Sequence, residues 1–284
     1  MLKQYCRKVV LALELLASGN VVTALQNWRR RRRGALRVLY QRPLVGPALE
    51  WSPRRINAIA RRIRAQRYLE IGVLRGHTAQ NIRVHSRVGV DPMPLFDTTM
   101  LPNGFTFFRV ESDSYFLSID PKVKFDIVFL DGLHTFEQTR SDLFNALEHL
   151  SCGVVLIDDT FPSDEIAAMP DLEQSRALRP EPAKWMGDVW KLVVYIDAAL
   201  PQLDFRTIVG RGNVQTLVWY VNGEKASPSL RTSDQADSIA QLDYNDYFRN
   251  GIPAQFRPCS EAEAIRACLR AVMAQRLSTT AAAE

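Results

Sequence analysis

Residues 68–78 read Tyr-Leu-Glu-Ile-Gly-Val-Leu-Arg-Gly-His-Thr, and the rest of the chain is best read outward from them. A short apolar run passes directly into a glycine-bearing turn, and a helix follows the second glycine. Gly72 and Gly76 permit a positive φ or a close approach of another backbone, and the first amides of a helix favour polar or anionic ligand groups. The string is not the full GxGxxG fingerprint, which weakens a pyrophosphate reading. On these residues alone two readings stay open: a turn that holds a cofactor, and an ordinary tight strand-to-helix connection.

Outward from this turn, short hydrophobic runs alternate with helical segments, as a parallel sheet covered on both faces requires. Strands are predicted at 68–71, 87–90, 106–110, 125–130 and 154–157, with the clearest intervening helix at 135–150. Periodicity lapses in a Pro-rich stretch after Asp159, resumes at 190–196, and is followed by a closing hairpin of 204–209 with 214–221. The expected fold class is therefore α/β, a Rossmann-like doubly wound sheet. Residues 224–258 show little period. A last helix is predicted over 260–277, capped by Ser260 with acidic residues in its first turn.

The chain upstream of the sheet has a different character. Of its 284 residues, the first 67 hold sixteen basic and two acidic side chains, a net +14, so that the remaining 217 carry −9 although the whole is only +5. Residues 9–18 suit an amphipathic helix too short to span a bilayer, which needs about 20 apolar residues. Arg29–Arg33 form a basic run, prolines and glycines punctuate 34–53, and a helix is predicted at 54–66. The expected organisation is a helical arginine-rich arm (1–53), a catalytic domain (54–222), and an irregular tail with a helix packing on the core (223–284). The arm could neutralise nucleic-acid phosphates, touch an acidic lipid surface or meet another subunit. It lacks the recurring aromatic platform of a single-strand groove, so nucleic acid is the less favoured partner. Four cysteines without a CxxC spacing give neither a disulfide framework nor a zinc knuckle, and fit a reducing, cytoplasmic setting.

Acidic residues stand at the carboxyl ends of the predicted strands, where an open parallel sheet forms its binding crevice. Asp91 lies twenty-one residues after Glu70 and ends the second strand, where a carboxylate can accept from ribose hydroxyls. Val110-Glu-Ser-Asp-Ser114 ends the third strand; Ser112 could face an adenine or sugar edge, or Ser112 and Asp113 could cap a helix. Phe125-Asp-Ile-Val-Phe-Leu-Asp-Gly-Leu-His134 and Val154-Val-Leu-Ile-Asp-Asp159 bring Asp131, Asp158 and Asp159 toward one place. Like charges in one site require a proton or a cation, and oxygen ligands suit Mg²⁺ or Mn²⁺. Taken singly, each could instead cap a loop or helix. His134 lies three residues beyond Asp131, with an ordinary pKa of about 6.5 that suits proton removal near neutrality. In Trp185-Met-Gly-Asp-Val-Trp-Lys191, Trp185 or Trp190 could wall a substrate site, while core packing and an Asp188 to Lys191 pair are the plainer account. Glu137 reads as a solvated helix face, and His77, His85 and His149 as structural.

On these motifs, over roughly residues 50–222, the chain resembles the class I S-adenosylmethionine-dependent methyltransferases, and within them the metal-dependent O-methyltransferases that modify the sugars of macrocin and mycinamicin. The resemblance implies a seven-stranded sheet with an antiparallel last strand. It implies that Glu70, Gly72 and Gly76 hold the methionine part of the cofactor and Asp91 the ribose. It further implies that Asp131, Asp158 and Asp159 hold the metal, with His134 as general base. The expected reaction is methylation of a hydroxyl on a small molecule, preferably a sugar with vicinal hydroxyls, by a homo-oligomeric enzyme. A catechol acceptor and an RNA methyltransferase using the basic arm are the alternatives.

Overall fold

The computed structural model describes residues 50–99, 101–179, 184–210, 212–221 and 234–281. The helix predicted at 9–18 and the Arg29–Arg33 run lie outside the described residues. The chain divides into two units, Met1–Pro47 with Leu95–Asp97 and Ala48–Pro94 with Thr98–Glu284; the sheet belongs to the second.

That unit opens with α1 (Trp51–Ile63), whose Ile56, Ile59, Ala60 and Ile63 recur at helical spacing and are buried as one stripe. The strands and helices that follow are β1 (Arg67–Ile71), α2 (His77–Asn81), β2 (Ser86–Val90), β3 (Phe105–Phe108), α3 (Ser112–Ser118), β4 (Phe125–Leu130), α4 (Phe136–Glu148) and β5 (Leu150–Ile157). Then come α5 (Leu172–Leu178), α6 (Trp190–Ala199), β6 (Leu203–Ile208) and β7 (Gln215–Tyr220). Two short helices α7 (Asp234–Ala240) and α8 (Tyr244–Phe248), a two-residue strand β8 (Pro258–Cys259) and α9 (Glu261–Ala281) complete the described chain.

The sheet runs β3-β2-β1-β4-β5-β7-β6-β8. The first five strands in sequence pair in parallel, and β7 lies antiparallel between β5 and β6. Strand order reverses between β1 and β4, which opens a crevice above their carboxyl ends. Apolar cores cover both faces: α4 and α6 pack on one, α1 and α9 on the other. The near-continuous apolar runs of β4 and β5 follow from this double burial.

Two expectations need correction. The sheet has eight strands rather than seven. The added strand exists because β6 would otherwise be an unpaired edge, and Pro258 and Cys259 pair with Thr207 and Ile208 as the chain returns toward α9. The tail is also less irregular than its weak period suggests. Tyr244, Tyr247 and Phe248 of α8 pack their rings around Trp190 at 5.0–6.4 Å between centroids, and five- to seven-residue helices are too short to display a period. At the start of α9, Ser260 and Glu263 bond reciprocally, the hydroxyl taking the Glu263 amide and the carboxylate the Ser260 amide.

Candidate active site

Register sets the site. Ile71 lies beside Leu130, and Leu130 beside Ile157, so Gly72, Asp131 and Asp158 leave their strands at one level. The Asp131 amide donates to the Ile71 carbonyl at 2.8 Å and the Asp158 amide to the Leu130 carbonyl at 3.0 Å. Gly72 has φ +84°, and a Cβ there would sit 1.9 Å from the Asp131 carbonyl oxygen. Only glycine lets the β1 turn lie this close to the β4 turn.

The turn between β1 and α2 is held from across the crevice. Asp91 Oδ2 accepts from the Val73 and Leu74 amides at 3.0 and 2.7 Å, and its Oδ1 from the Met93 amide at 2.7 Å. The expected ribose acceptor thus also shapes the turn, with Leu74 at φ +45°. Gly76 adopts φ +74° at the start of α2. Glu70 lies beneath the turn, buried, taking a 2.6 Å bond from the Tyr68 hydroxyl. Burial holds its carboxyl well above the ordinary carboxylate range, against the Tyr68 bond that lowers it. Ser112 accepts from the Gln138 side chain at 3.2 Å, and Gln138 also donates to Asp142 at 3.2 Å. Asp142, buried on the core side of α4, is pushed up to about 6, chiefly by burial.

Across the crevice, Asp131, His134 and Asp159 place one ligand atom each within 4.8 Å of one another. His134 Nε2 is 3.2 Å from Asp131 Oδ1, and Nδ1 is 3.6 Å from Asp159 Oδ2. At that distance Nδ1 is a buried nitrogen without a hydrogen-bond partner. Burial lowers the imidazole's pKa. The bond to Asp131 and the charges of Asp131, Asp159 and Asp158 outweigh that and raise it above 6.5. Asp131 is raised too, burial being the main cause.

Asp158, expected beside these groups as a metal ligand, turns elsewhere. Its carboxyl accepts from Asn213 at 3.1 Å, from Gln215 at 3.2 Å and from the Asp159 amide at 2.9 Å. Burial first, and then Asp159 and Asp131, push it up to about 8. Successive residues on an extended strand end point to opposite sides, and Asp159 reaches the His134 side by adopting φ +54°. There its Oδ1 takes a 2.6 Å bond from the Lys184 ammonium.

The histidine is fixed from three directions. Trp185 stacks on its ring at 4.9 Å and 17°, and its indole N–H donates to the Met169 carbonyl at 2.7 Å. The Gly187 backbone lies so close that a Cβ would meet the His134 carbonyl oxygen at 1.7 Å, and the Asp188 amide donates to that oxygen at 3.2 Å. Asp188 Oδ1 accepts from the Phe136 amide at the start of α4, and Oδ2 pairs with the Lys191 ammonium at 3.2 Å. The GDVWK stretch therefore acts through the His134 loop. Glu137 is exposed on α4, and His149 is buried with Nδ1 2.8 Å from the Val123 carbonyl. Leu133, Pro170, Asp171, Leu172, Glu173 and Trp185 line an open groove of about 530 Å³.

Sequence reasoning missed Lys184, Asn213 and Gln215, which meet the carboxylates across 25 to 57 positions of chain. It also missed Arg55, fully buried in α1, which donates to Gln215 Oε1 at 2.7 Å while Gln215 Nε2 donates to Asp158. Asp142 had a readable signal, since it falls on the apolar stripe of α4 with Phe136, Thr139 and Leu143.

A divalent cation suits what is present. Two carboxylates, Asp131 and Asp159, converge beside the imidazole, whose buried Nδ1 is left without a hydrogen-bond partner. No helix among the described residues is long and apolar enough to cross a membrane.

Residues 69–160 match the model of a methyltransferase domain. No curated protein sequence matches the chain. Among solved structures it is similar to cofactor-bound Rv0187 from MTB, at 15% identity and TM-score 0.48 over 70% of this chain and 96% of that one. It is similar to the O-methyltransferase from Bacillus cereus in complex with SAH, at 14% identity and TM-score 0.44 over 67% and 88%. The SAH-bound methyltransferase PaMTH1 of Podospora anserina gives 16% identity and TM-score 0.44 over 71% and 96%. These comparisons do not single out the macrocin and mycinamicin enzymes.

Proposed function

We propose that the chain is an S-adenosylmethionine-dependent methyltransferase, a reading supported by the methyltransferase-domain match over residues 69–160, and that it methylates a hydroxyl of a small molecule, preferably on a sugar, with His134 as the base. The observation that carries this reading is the His134 ring. It is clamped by Trp185 and Gly187, bonded to Asp131, and set at the carboxyl end of β4 beside the Gly72 turn.

The cofactor supplies an electrophilic methyl group on a sulfonium. In this reading Gly72 and Gly76 let the backbone approach its methionine portion, and Asp91 offers ribose the lone pairs its backbone bonds leave free. Glu70 stabilises the turn from below. Ser112, tied to Gln138 and Asp142, borders the opposite edge. His134 takes the acceptor proton as the O–CH₃ bond forms and the S–CH₃ bond breaks, leaving neutral S-adenosylhomocysteine. The residues contribute mainly alignment, the largest lever available to a displacement between two bound partners.

Asp131 and Asp159 would hold Mg²⁺ or Mn²⁺, with Asp158 behind them, braced by Asn213 and Gln215. A bound ion would lower the pKa of an acceptor hydroxyl and orient it. The groove walled by Trp185 and Leu133 would take the body of the acceptor.

The test is a labelled-methyl transfer screen over hydroxylated metabolites, glycosides, catechols and RNA, with mass analysis of the products. The reading expects an O-methylated small molecule. Label found in RNA alone, or on nitrogen or carbon, would overturn it.

A further inference from the structure

We propose that Lys184 is a tethered counter-ion that competes with a divalent cation for Asp159. The proposal rests on the reading of Asp131 and Asp159 as cation-holding carboxylates.

The geometry is asymmetric in a way that suits exchange. The Asp159 side chain is only 5% exposed, whereas that of Lys184, 2.6 Å from it, is 45% exposed. A buried carboxylate cannot stand alone without a large desolvation cost, so Asp159 needs a cation in every state of the site. An ammonium on a half-exposed four-carbon stem can leave for water at little cost. The backbone next to Lys184 is anchored, because Trp185 stacks on His134 and bonds the Met169 carbonyl. The amine therefore stays close to the carboxylate whether engaged or not.

Lys184 also faces the rest of the cluster. Asp159 Oδ1 carries the lysine while Oδ2 points to His134. A cation held by Asp131 and Asp159 would therefore meet a carboxylate already half used. Two positive charges do not share that position, so the lysine withdraws when the ion enters. The apparent affinity for the ion is reduced by the fraction of molecules in which the lysine is disengaged.

The experiment is a Mn²⁺ titration of the full chain, followed by electron paramagnetic resonance of free Mn²⁺ with S-adenosylhomocysteine present. It needs no acceptor, so it succeeds or fails independently of the methyl-transfer screen. Lys184→Met should bind Mn²⁺ about tenfold tighter or more, as expected where the disengaged fraction is a tenth or less. Lys184→Gln should follow it, and Lys184→Arg, which keeps the charge, should stay near wild type. Adding Asp159→Asn to Lys184→Met should abolish the gain. Lys184 is half exposed, and unchanged circular dichroism and S-adenosylhomocysteine affinity would verify that the variants fold. Equal or weaker Mn²⁺ binding by Lys184→Met, a gain that survives Asp159→Asn, or no binding by any of the proteins would each overturn the competition.

Discussion

Replacing Asp188 with alanine tests whether the stretch after Trp185 holds the histidine loop. The wild-type carboxylate has two buried duties, accepting the Phe136 amide at 2.7 Å and pairing with Lys191 at 3.2 Å, with side-chain exposures of 8% and 10%. Loss of the first resembles loss of a helix cap, about 1 kcal/mol. Loss of the second leaves a buried ammonium without its counter-ion, a change that costs about 3–5 kcal/mol in general. Lys191 keeps its 2.6 Å bond to the Ala240 carbonyl, which favours the lower end and a total of about 3–4 kcal/mol. Asp188→Asn, which preserves an acceptor for Phe136, should cost about 2 kcal/mol. Removing the stranded charge in Asp188→Ala/Lys191→Met should recover part of the loss, a coupling that a double-mutant cycle reads directly. Urea unfolding followed by circular dichroism gives these differences. Because the Asp188 carboxylate holds the Phe136 amide two residues beyond His134, turnover of Asp188→Ala should fall more than cofactor affinity. A cost below about 1 kcal/mol, or no coupling to Lys191, would refute the reasoning.

Four further outcomes follow from the geometry. Gly72→Ala forces a Cβ to within 1.9 Å of the Asp131 carbonyl at φ +84° and should abolish cofactor binding in calorimetry, with lowered thermal stability. Asp91→Ala frees three loop amides and should weaken S-adenosylmethionine binding at least about tenfold, a loss of roughly 1.4 kcal/mol. Asp142 titrates at about 6 in the fold against 3.8 for its ordinary value, so the unfolded chain loses its proton first and stability falls as pH rises through that window. By linkage the loss is up to about 3 kcal/mol, and urea unfolding of Asp142→Asn should show it more stable than wild type at pH 7 but no more stable at pH 3. His134 is raised above 6.5 by its carboxylate neighbours, so the acid limb of the kcat/KM profile should lie above pH 6.5; Asp131→Asn should move it down, and an unmoved limb would remove Asp131 as the cause.

The parts of the fold legible in the sequence were those in which burial on both faces writes a continuous apolar run. The runs through Phe125–Leu130 and Val154-Val-Leu-Ile157 announced β4 and β5, and register then carried Asp131 and Asp158 to one level. The strand β8 was not legible, because two residues pair only where the β6 edge lies waiting. The helices α7 and α8 escaped for a related reason. The second is fixed by aromatic contacts to Trp190, about fifty positions earlier in the chain, the first by burying Ala236 and Ile239 in the same core, and one or two turns carry no period of their own. At the site, the sequence pointed to which residues gather at the strand ends but not to how each side chain is satisfied. The difference between Asp158 and Asp159 is one step of backbone direction, and Asn213 and Lys184 decide it from distant parts of the chain.

That one step has electrostatic consequences. Three carboxylates gathered on two adjacent strand ends would repel one another. Burial and the neighbouring Asp159 and Asp131 push the Asp158 carboxyl up, and its oxygens are turned to the donors of Asn213, Gln215 and the Asp159 amide, away from His134. The charge facing His134 is then that of Asp131 and Asp159, with Lys184 opposing it. Two anions against one ammonium leave one negative charge in excess, which a protonated His134 balances; a divalent ion would balance both anions once the lysine has withdrawn. A protonated His134 cannot act as a base. Neutralisation by a bound cation is therefore the state in which the imidazole is free to accept a proton, and it ties the acidity of the strand ends to the chemistry expected of the histidine between them.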